Sequence, residues 1–219
     1  MTLPGDRITH TLLCAGALFI WYAISVLVGA LPNFSYLQSS GLLMPLLCAL
    51  EFAALVPLYR WYVRRYDAPI PSGRLRPRQA LLFSALLIAL IAAQSFFLQR
   101  EGWSGAQQSG SLYSLVLFSL AVVLLAPVYE EILFRGFVLQ GLLLWAPRQR
   151  LACSLLSSLI FAAVHTQYVH LQTLIALVLL SLLLCAARFA SNGLKLPIFL
   201  HMLNNFLSVA PGLWLAFSP

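Results

Sequence analysis

Long apolar stretches separated by short polar connections are the dominant pattern along this chain of 219 residues. Each stretch is long enough, or nearly long enough, to cross the roughly 30 Å hydrocarbon core of a bilayer as an α-helix. The pattern therefore predicts an all-α fold, a polytopic transmembrane helical bundle of about seven to eight helices. The predicted segments lie near residues 11–31, 41–63, 79–99, 112–145, 151–168, 171–189 and 195–217.

The fourth predicted segment, 112–145, is too long for one straight crossing. Pro127 and Gly136 lie within it, and helices kink at residues of this kind. Alternatively, the second half of the segment could lie shallow along the membrane interface. The sequence leaves an eighth helical element open.

The composition places the chain in lipid. It is 61% hydrophobic and only 9% charged, whereas a soluble domain carries about a quarter charged residues. A soluble fold of this size could not bury so much apolar surface, so the lipid bilayer is a predicted partner. The net charge of +7 arises from 13 basic and 6 acidic residues, and the basic ones lie in short loops without an aromatic–basic stripe. We therefore expect no nucleic-acid partner.

Basic residues concentrate in every second connection between the predicted segments, while the intervening connections are nearly neutral. Asp67 is the one acidic residue in the first basic connection, and Arg100 stands beside Glu101 in a neutral one. Because basic loops remain in the cytoplasm, we predict a cytoplasmic N-terminus and an external C-terminus in a bacterial inner membrane. The basic residues are Arg60, Arg64, Arg65, Arg74, Arg76 and Arg78 from the end of segment two to the start of segment three, Arg148 and Arg150 after segment four, and Arg188 and Lys195, which flank the connection after segment six.

The four cysteines indicate packing rather than chemistry. Each lies inside an apolar stretch, and none forms a Cys-x-x-Cys pair or stands near a histidine at metal-ligand spacing. Neither a disulfide nor a zinc site is expected from them. They are Cys14, Cys48, Cys153 and Cys185.

Ionisable residues inside a membrane are costly and by default indicate function. In the fourth segment, Glu131 and Arg135 are four residues apart and face each other on a helix, so they are predicted to form an ion pair. Glu130 points about 100° away and could act as a general base for water. The alternative is a salt-bridge cluster that only locks helices together. Glu51, in the second segment, could pair with an arginine or stay protonated.

Two further polar positions lie in the last segments. His165 ends the fifth segment, where a histidine is commonly an interface residue or a structural hydrogen-bonding group. His201 and Asn205 are four residues apart and project from one helix face. Two donors on one face could stabilise a developing oxyanion, or they could be polar contacts between helices.

Three motifs occur in order, each in its own apolar segment: Glu-Glu-x-x-x-Arg at 130–135, Phe-x-x-x-His at 161–165 and His-x-x-x-Asn at 201–205. With their flanking residues at 126–129 and 196–198, they resemble the CPBP family. This family comprises type II CAAX prenyl endopeptidases, bacteriocin-processing enzymes and related immunity proteins.

The resemblance covers roughly residues 112–210, and residues 1–110 carry no family motif. It therefore implies two parts, N-terminal transmembrane helices in 1–110 and a catalytic helical core in 111–219.

The resemblance implies an intramembrane glutamate endopeptidase that hydrolyses peptide bonds without a metal or cofactor. Its substrate would be a membrane-associated peptide or protein with a prenylated end, a leader or a sorting signal. The matching positions are Glu130 for water activation, His165 for assistance, His201 and Asn205 for the oxyanion hole, and Glu131 and Arg135 as supporting residues.

Three alternatives remain from the sequence. A glutamate with two histidines could hold zinc, although the His-Glu-x-x-His spacing is absent. A scaffold or immunity protein could use the same fold without proteolysis. A small transporter is the third class, but we find no internal repeat of the kind that transporters have.

The sequence places the candidate histidines at different depths in the membrane, measured from the basic loops. His201 is six residues beyond Lys195, or roughly 9 Å, while His165 is fifteen beyond Arg150, or roughly 22 Å. For these histidines to meet, either residues 146–152 enter the membrane obliquely or the helices are staggered.

Overall fold

The computed structural model describes residues 4–66, 70–97, 99, 101 and 111–218, and within these ranges all regular structure is helical. Six of the helices in these ranges are long and apolar enough to cross a membrane, which confirms the predicted polytopic α-helical fold. The helices are α1 Pro4–Gly29, α2 Phe34–Ser39, α3 Leu43–Arg65, α4 Pro77–Gln94, α5 Leu112–Trp145, α6 Arg150–Ala163, α7 Leu171–Ser191 and α8 Lys195–Phe217.

Four elements differ from the predicted segments. Helix α1 begins at Pro4 rather than near residue 11. The short helix α2 lies in the connection between the first two predicted segments, and α4 ends at Gln94 rather than near residue 99. Helix α6 has 14 residues and so rises only about 21 Å, less than the hydrocarbon thickness. The loop 164–170 follows the helix, and His165 therefore lies just beyond the helix rather than at its last turn. Asp67, Arg100 and the predicted division at residue 110 lie outside the described residues.

Helix α5 is one continuous element from Leu112 to Trp145. Two π-helical segments interrupt its α-helical geometry, at Ala121–Leu125 and at Ile132–Val138. Pro127 follows the first segment, and Gly136 lies inside the second. The residues that predicted a kink thus mark places where the helix widens, and π-helical turns of this kind are frequent at functional sites.

Large apolar side chains cover the outside of the bundle. Phe19 on α1 is 70% exposed, Leu81 on α4 is 73% exposed and Leu151 on α6 is 79% exposed. Soluble monomers rarely present apolar patches this extensive. This surface is consistent with an integral membrane protein whose side chains contact lipid.

A loop packed into the core explains the depth of the candidate site. Gly136 of α5 lies against Ile70 and against Leu194, the residue before α8; a Cβ on Gly136 would lie 3.6 Å and 3.8 Å from their side chains. Ile70 is fully buried, and the carbonyl of Ser72 accepts a 3.0 Å hydrogen bond from the Lys195 amide. Helix α8 therefore begins at the level of Gly136.

Helix α5 continues for nine residues beyond Gly136, to Trp145, a rise of about 14 Å. The basic-loop ends of α5 and α8 are therefore staggered by about that distance. Glu130 lies six residues before Gly136 and His201 seven after Leu194, so the two reach the same depth on antiparallel helices. Stagger, rather than an oblique entry of residues 146–152, accounts for the different depths that the sequence predicted.

Candidate active site

Glu130 lies at the centre of the site, on the face of α5 that looks toward α8 and the loop after α6. Its Oε2 is 3.9 Å from Nε2 of His165 and 3.8 Å from Nε2 of His201. These separations exceed a direct hydrogen bond but are within reach of a bridging water. Oε2 is buried, and no described residue forms a hydrogen bond with it. The two histidines thus approach a carboxylate oxygen that no described residue engages in a hydrogen bond.

His165 is oriented by the end of its own helix. Its Nδ1 lies 2.6 Å from the carbonyl oxygen of Phe161, and since a carbonyl only accepts, Nδ1 must carry a proton. The Nε2 atom therefore faces Glu130 and either accepts a hydrogen bond or, in the imidazolium form, donates one. The ring also lies close to the Phe161 ring, with centroids 4.4 Å apart.

His201 links the two neighbouring glutamates. Its Nδ1 lies 2.9 Å from Oε1 of Glu131, and its Nε2 faces Glu130. The carboxylate accepts the Nδ1–H, which determines both the ring orientation and which nitrogen is presented to Glu130. The side chain is only 5% exposed, so this orientation is held within the core.

The predicted pair of Glu131 and Arg135 is present. Arg135 Nη1 donates to Glu131 Oε1 at 2.9 Å, and both side chains are fully buried. Arg135 Nη2 donates to the hydroxyl of Ser181 on α7 at 2.7 Å and to its carbonyl at 3.2 Å. The guanidinium also lies 4.7 Å from the centre of the Phe161 ring, a cation–π contact. The ion pair thus connects α5 to α6 and α7.

Asn205 has a different environment from the other candidate residues. Its Nδ2 donates at 2.8 Å to the carbonyl of Val122, in the first π-helical segment of α5, and its Oδ1 accepts from Asn204. In an i to i+5 pattern the Val122 carbonyl would pair with residue 127, which is a proline without an N–H. Asn205 supplies that missing donor. One of its two amide hydrogens is occupied in this way, and its oxyanion role stays a prediction.

The loop 164–170, which carries His165, is held at its far end by Glu101. The Glu101 carboxylate accepts hydrogen bonds from the amides of Val169 at 3.1 Å and His170 at 3.3 Å, at the N-terminus of α7. Burial raises the pKa of Glu101, but these bonds and one from Thr173 outweigh it and hold the pKa below its usual value. This contact, together with the nearly parallel stacking of the Tyr168 and His165 rings, positions the loop over the site.

The tertiary structure therefore brings together Glu130, His165 and His201, and it supports them with Glu131 and Arg135. Sequence reasoning missed Ser181, which anchors Arg135, and Tyr168, which stacks on His165. A serine within the apolar run of α7 was a signal for the first, since buried hydroxyls need partners. Tyr168 lies in a short loop and gave no comparable signal.

A metal ion at this site would have to bind Glu130 and the Nε2 atoms of His165 and His201. Both Nε2 atoms face Glu130 while both Nδ1 atoms are anchored, an arrangement that suits a water or a metal. Among the described residues, no group of three His, Cys, Asp or Glu side chains is arranged to hold a metal ion. The effect of a strong chelator on activity would distinguish a bound metal from a bound water.

Fold and site together define a polytopic membrane protein with a carboxylate–histidine cluster inside its helical bundle. The chain belongs to the Rce1-like family of type II CAAX prenyl endopeptidases, a protease family that matches residues 111–207. This match spans α5 to α7 and the part of α8 that carries His201 and Asn205. It confirms the family that the three motifs resemble.

One relative extends the similarity beyond the matched core. A protein of Escherichia coli described as an uncharacterized 24.3 kDa protein is 32% identical over 200 residues, with 85% of each chain covered. No solved structure matches the chain.

Proposed function

We propose that this protein is an intramembrane endopeptidase in which Glu130 activates a water molecule for attack on a peptide bond. The observation that carries the proposal is the meeting of Glu130, His165 and His201 from three separate parts of the chain, with Oε2 of Glu130 unpartnered. A cluster that served only to lock helices has no need of a second, partly exposed carboxylate that faces two histidine Nε2 atoms without bonding to them.

The first chemical step is proton transfer from water to Glu130. A water between Oε2 and the Nε2 atoms of the two histidines can donate one hydrogen to the carboxylate while His165 orients it. As the water oxygen forms a bond to the carbonyl carbon of the peptide, its proton passes to Glu130. The carbonyl π electrons move to oxygen and produce a tetrahedral oxyanion.

The second step expels the amine. His201, when protonated on Nε2, can donate a hydrogen bond to the oxyanion, and the second amide hydrogen of Asn205 is a further donor. Collapse of the oxyanion breaks the carbon–nitrogen bond, and Glu130 returns its proton to the leaving nitrogen. Glu131 and Arg135 are positioning residues in this scheme, since they orient His201 without contacting the substrate.

The proposed substrate is a peptide held at the membrane. Prenylated C-terminal peptides are the first candidates because of the family to which the chain belongs. Leader peptides and C-terminal sorting signals are the others, and the depth of the site within an apolar bundle favours a substrate that partitions into lipid. No cofactor is part of the proposal.

The competing function is a non-proteolytic membrane scaffold or immunity protein with the same fold. Such a protein needs the Glu131–Arg135 pair for its stability, but it does not need an unpartnered carboxylate at Glu130.

The membrane peptides of cells that carry the wild type or Glu130→Ala would separate the two functions. We expect a set of peptides that lose an end only in wild-type cells, and the matched control Asp6→Asn, an exposed carboxylate on α1, should behave as the wild type. Identical peptide sets in all three strains, with equal protein levels, would favour the scaffold.

We also propose that the basic loops face the cytoplasm, with the N-terminus inside and the C-terminus outside. A cytoplasmic reporter inserted near Ser72 should be active, and so should an external reporter fused after Pro219. Because α5 is one continuous helix, a cytoplasmic C-terminus would mean that α6 and the loop 164–170 do not complete a crossing.

A further inference from the structure

Glu51 is a buried carboxyl that the proposed mechanism does not use. It lies on α3 and is 4% exposed, eight residues from one end of a membrane-spanning helix and fourteen from the other. The Ser25 hydroxyl of α1 donates to its Oε1 at 3.2 Å. Trp21 of α1 and Tyr129 of α5 are its other polar neighbours. These partners are all uncharged.

The pairing of Glu51 with an arginine, which the sequence left open, does not occur among the described residues. The ion pairs formed there join Glu130 and Glu131 to Arg135, His165 and His201. A buried carboxylate without a cation is costly in an apolar interior, and the neutral acid avoids that cost.

Glu51 also lies close to the catalytic carboxyl. The Tyr129 hydroxyl of α5 lies 3.8 Å from Sγ of Cys48, which is about one helical turn before Glu51 on α3, and Glu130 directly follows Tyr129. The titratable groups that face it are Cys48 on its own helix and Tyr129 and Glu130 on α5, while α1 contributes Ser25 and Trp21. Glu130 is thus a carboxyl on the neighbouring helix that the charge of Glu51 can influence, because two charges in one low-dielectric region interact strongly.

We propose that Glu51 is a charge switch for the active site: hydrolysis proceeds while Glu51 is the uncharged acid and is suppressed when Glu51 ionises. The switching step is the loss of the Glu51 proton to water or to a base in solution, and it involves no bond to the substrate. The physical reason is the charge of the transition state. Attack of water places a new negative charge on the peptide oxygen, and a second carboxylate beside Glu130 opposes it.

This inference rests on the proposed endopeptidase function, but its first test needs no substrate. Infrared difference spectra of the purified protein in lipid nanodiscs, recorded against pH, follow the carbonyl stretch of protonated carboxyl groups. We expect a band that Glu51→Gln removes. In Glu130→Gln the midpoint of this band should move to lower pH by on the order of one unit, because the neighbouring negative charge is gone. Ser25→Ala, which alters one hydrogen bond, should retain the band.

The second test measures kcat/KM against pH with a prenylated CaaX peptide as the probe. The wild type should lose activity on the alkaline side at the pH where the infrared band disappears. In Glu51→Gln that alkaline decline should be absent, with the plateau within about threefold of the wild type. Glu51→Asp, which restores a titratable group, should restore a decline. A thermal melt of each variant checks that it is folded.

The outcomes separate the inference from the function on which it rests. If the wild type cleaves the probe but the alkaline decline is the same in Glu51→Gln, the switch is wrong. A band that is absent, or unaffected by Glu130→Gln, removes the coupling whatever the activity. If the probe is never cleaved while the band behaves as expected, the coupled pair stands and the proposed proteolysis is what fails.

Discussion

Glu130 and Glu131 are neighbours in the chain but occupy two different physical environments. Glu131 is fully buried, and its Oε1 accepts hydrogen bonds from both Arg135 and His201. Glu130 is 15% exposed, and its nearest charged partners are the two histidine Nε2 atoms at 3.8 and 3.9 Å. One carboxylate is paired with an arginine within the core, whereas the other lies at the edge of the core and faces two histidines.

The difference shows that two adjacent positions on one helix can have separate roles, one in stabilising the fold and the other in the proposed reaction. A step of about 100° directs Glu131 toward α7 and α8 and directs Glu130 toward the loop after α6. A carboxylate paired with arginine stabilises its surroundings and is less free to accept a proton, because Arg135 and His201 already donate to its Oε1. An unpaired carboxylate can accept a proton. His201 contacts both groups, so the stable side of the cluster orients the reactive side.

The largest effect is expected when the proposed general base, Glu130, is replaced. We predict that Glu130→Gln lowers the rate of cleavage by roughly 10²–10⁴, because the amide retains the shape but cannot accept the proton. The measurement is kcat/KM of the detergent-purified protein on a prenylated CaaX peptide, with a thermal melt alongside. Activity close to that of the wild type would remove the glutamate mechanism.

The stable side should respond in the opposite way. We predict that Arg135→Ala destabilises the protein by about 3–5 kcal/mol, since it leaves Glu131 buried without its cation. Glu130→Ala should cost clearly less. Thermal and denaturant melts in detergent compare the two, and equal or reversed losses would mean that the stabilising carboxylate is Glu130.

His201 contacts both glutamates, so its substitution tests how the buried pair supports the reactive carboxylate. We predict that His201→Ala lowers kcat by roughly 10²–10³ with little change in KM. Asn205→Ala should lower kcat less, because one of its amide hydrogens is already engaged by Val122.

Each of these proteins is assayed with and without a strong chelator, and we expect no effect of the chelator. Activity that the chelator abolishes and zinc restores would mean that Glu130 and the histidines hold a metal.

The smallest expected effect concerns Ser181, the hydroxyl that anchors Arg135. We predict that Ser181→Ala destabilises the protein by roughly 1–2 kcal/mol, because Arg135 Nη2 retains its bond to the Ser181 carbonyl. The matched control is Ser208→Ala, an exposed serine that bonds only to the Asn204 carbonyl of its own helix. A melting temperature that is unchanged by Ser181→Ala would show that the anchor is redundant.

Much of the fold follows from local pattern. The apolar stretches predicted the bounds of α3, α7 and α8 to within about two residues, because a spanning helix satisfies its own backbone hydrogen bonds whatever surrounds it. The end of α6 was placed too late. Its last predicted turn is replaced by the loop 164–170, whose backbone bonds to Glu101, a residue more than sixty positions earlier. No local pattern contains that partner.

The candidate site was likewise predictable in part from local pattern and in part only from the tertiary structure. The sequence by itself determined the Glu131–Arg135 pair and the separate direction of Glu130, since both follow from helix periodicity within one segment. Only the tertiary structure decided that His165 and His201 reach Glu130. Their meeting depends on the stagger between α5 and α8, which the buried loop at Ile70 and the contact of Gly136 with Leu194 create. Periodicity determines the direction of a side chain around its helix, but the relative depth of two helices depends on packing between residues far apart in the chain.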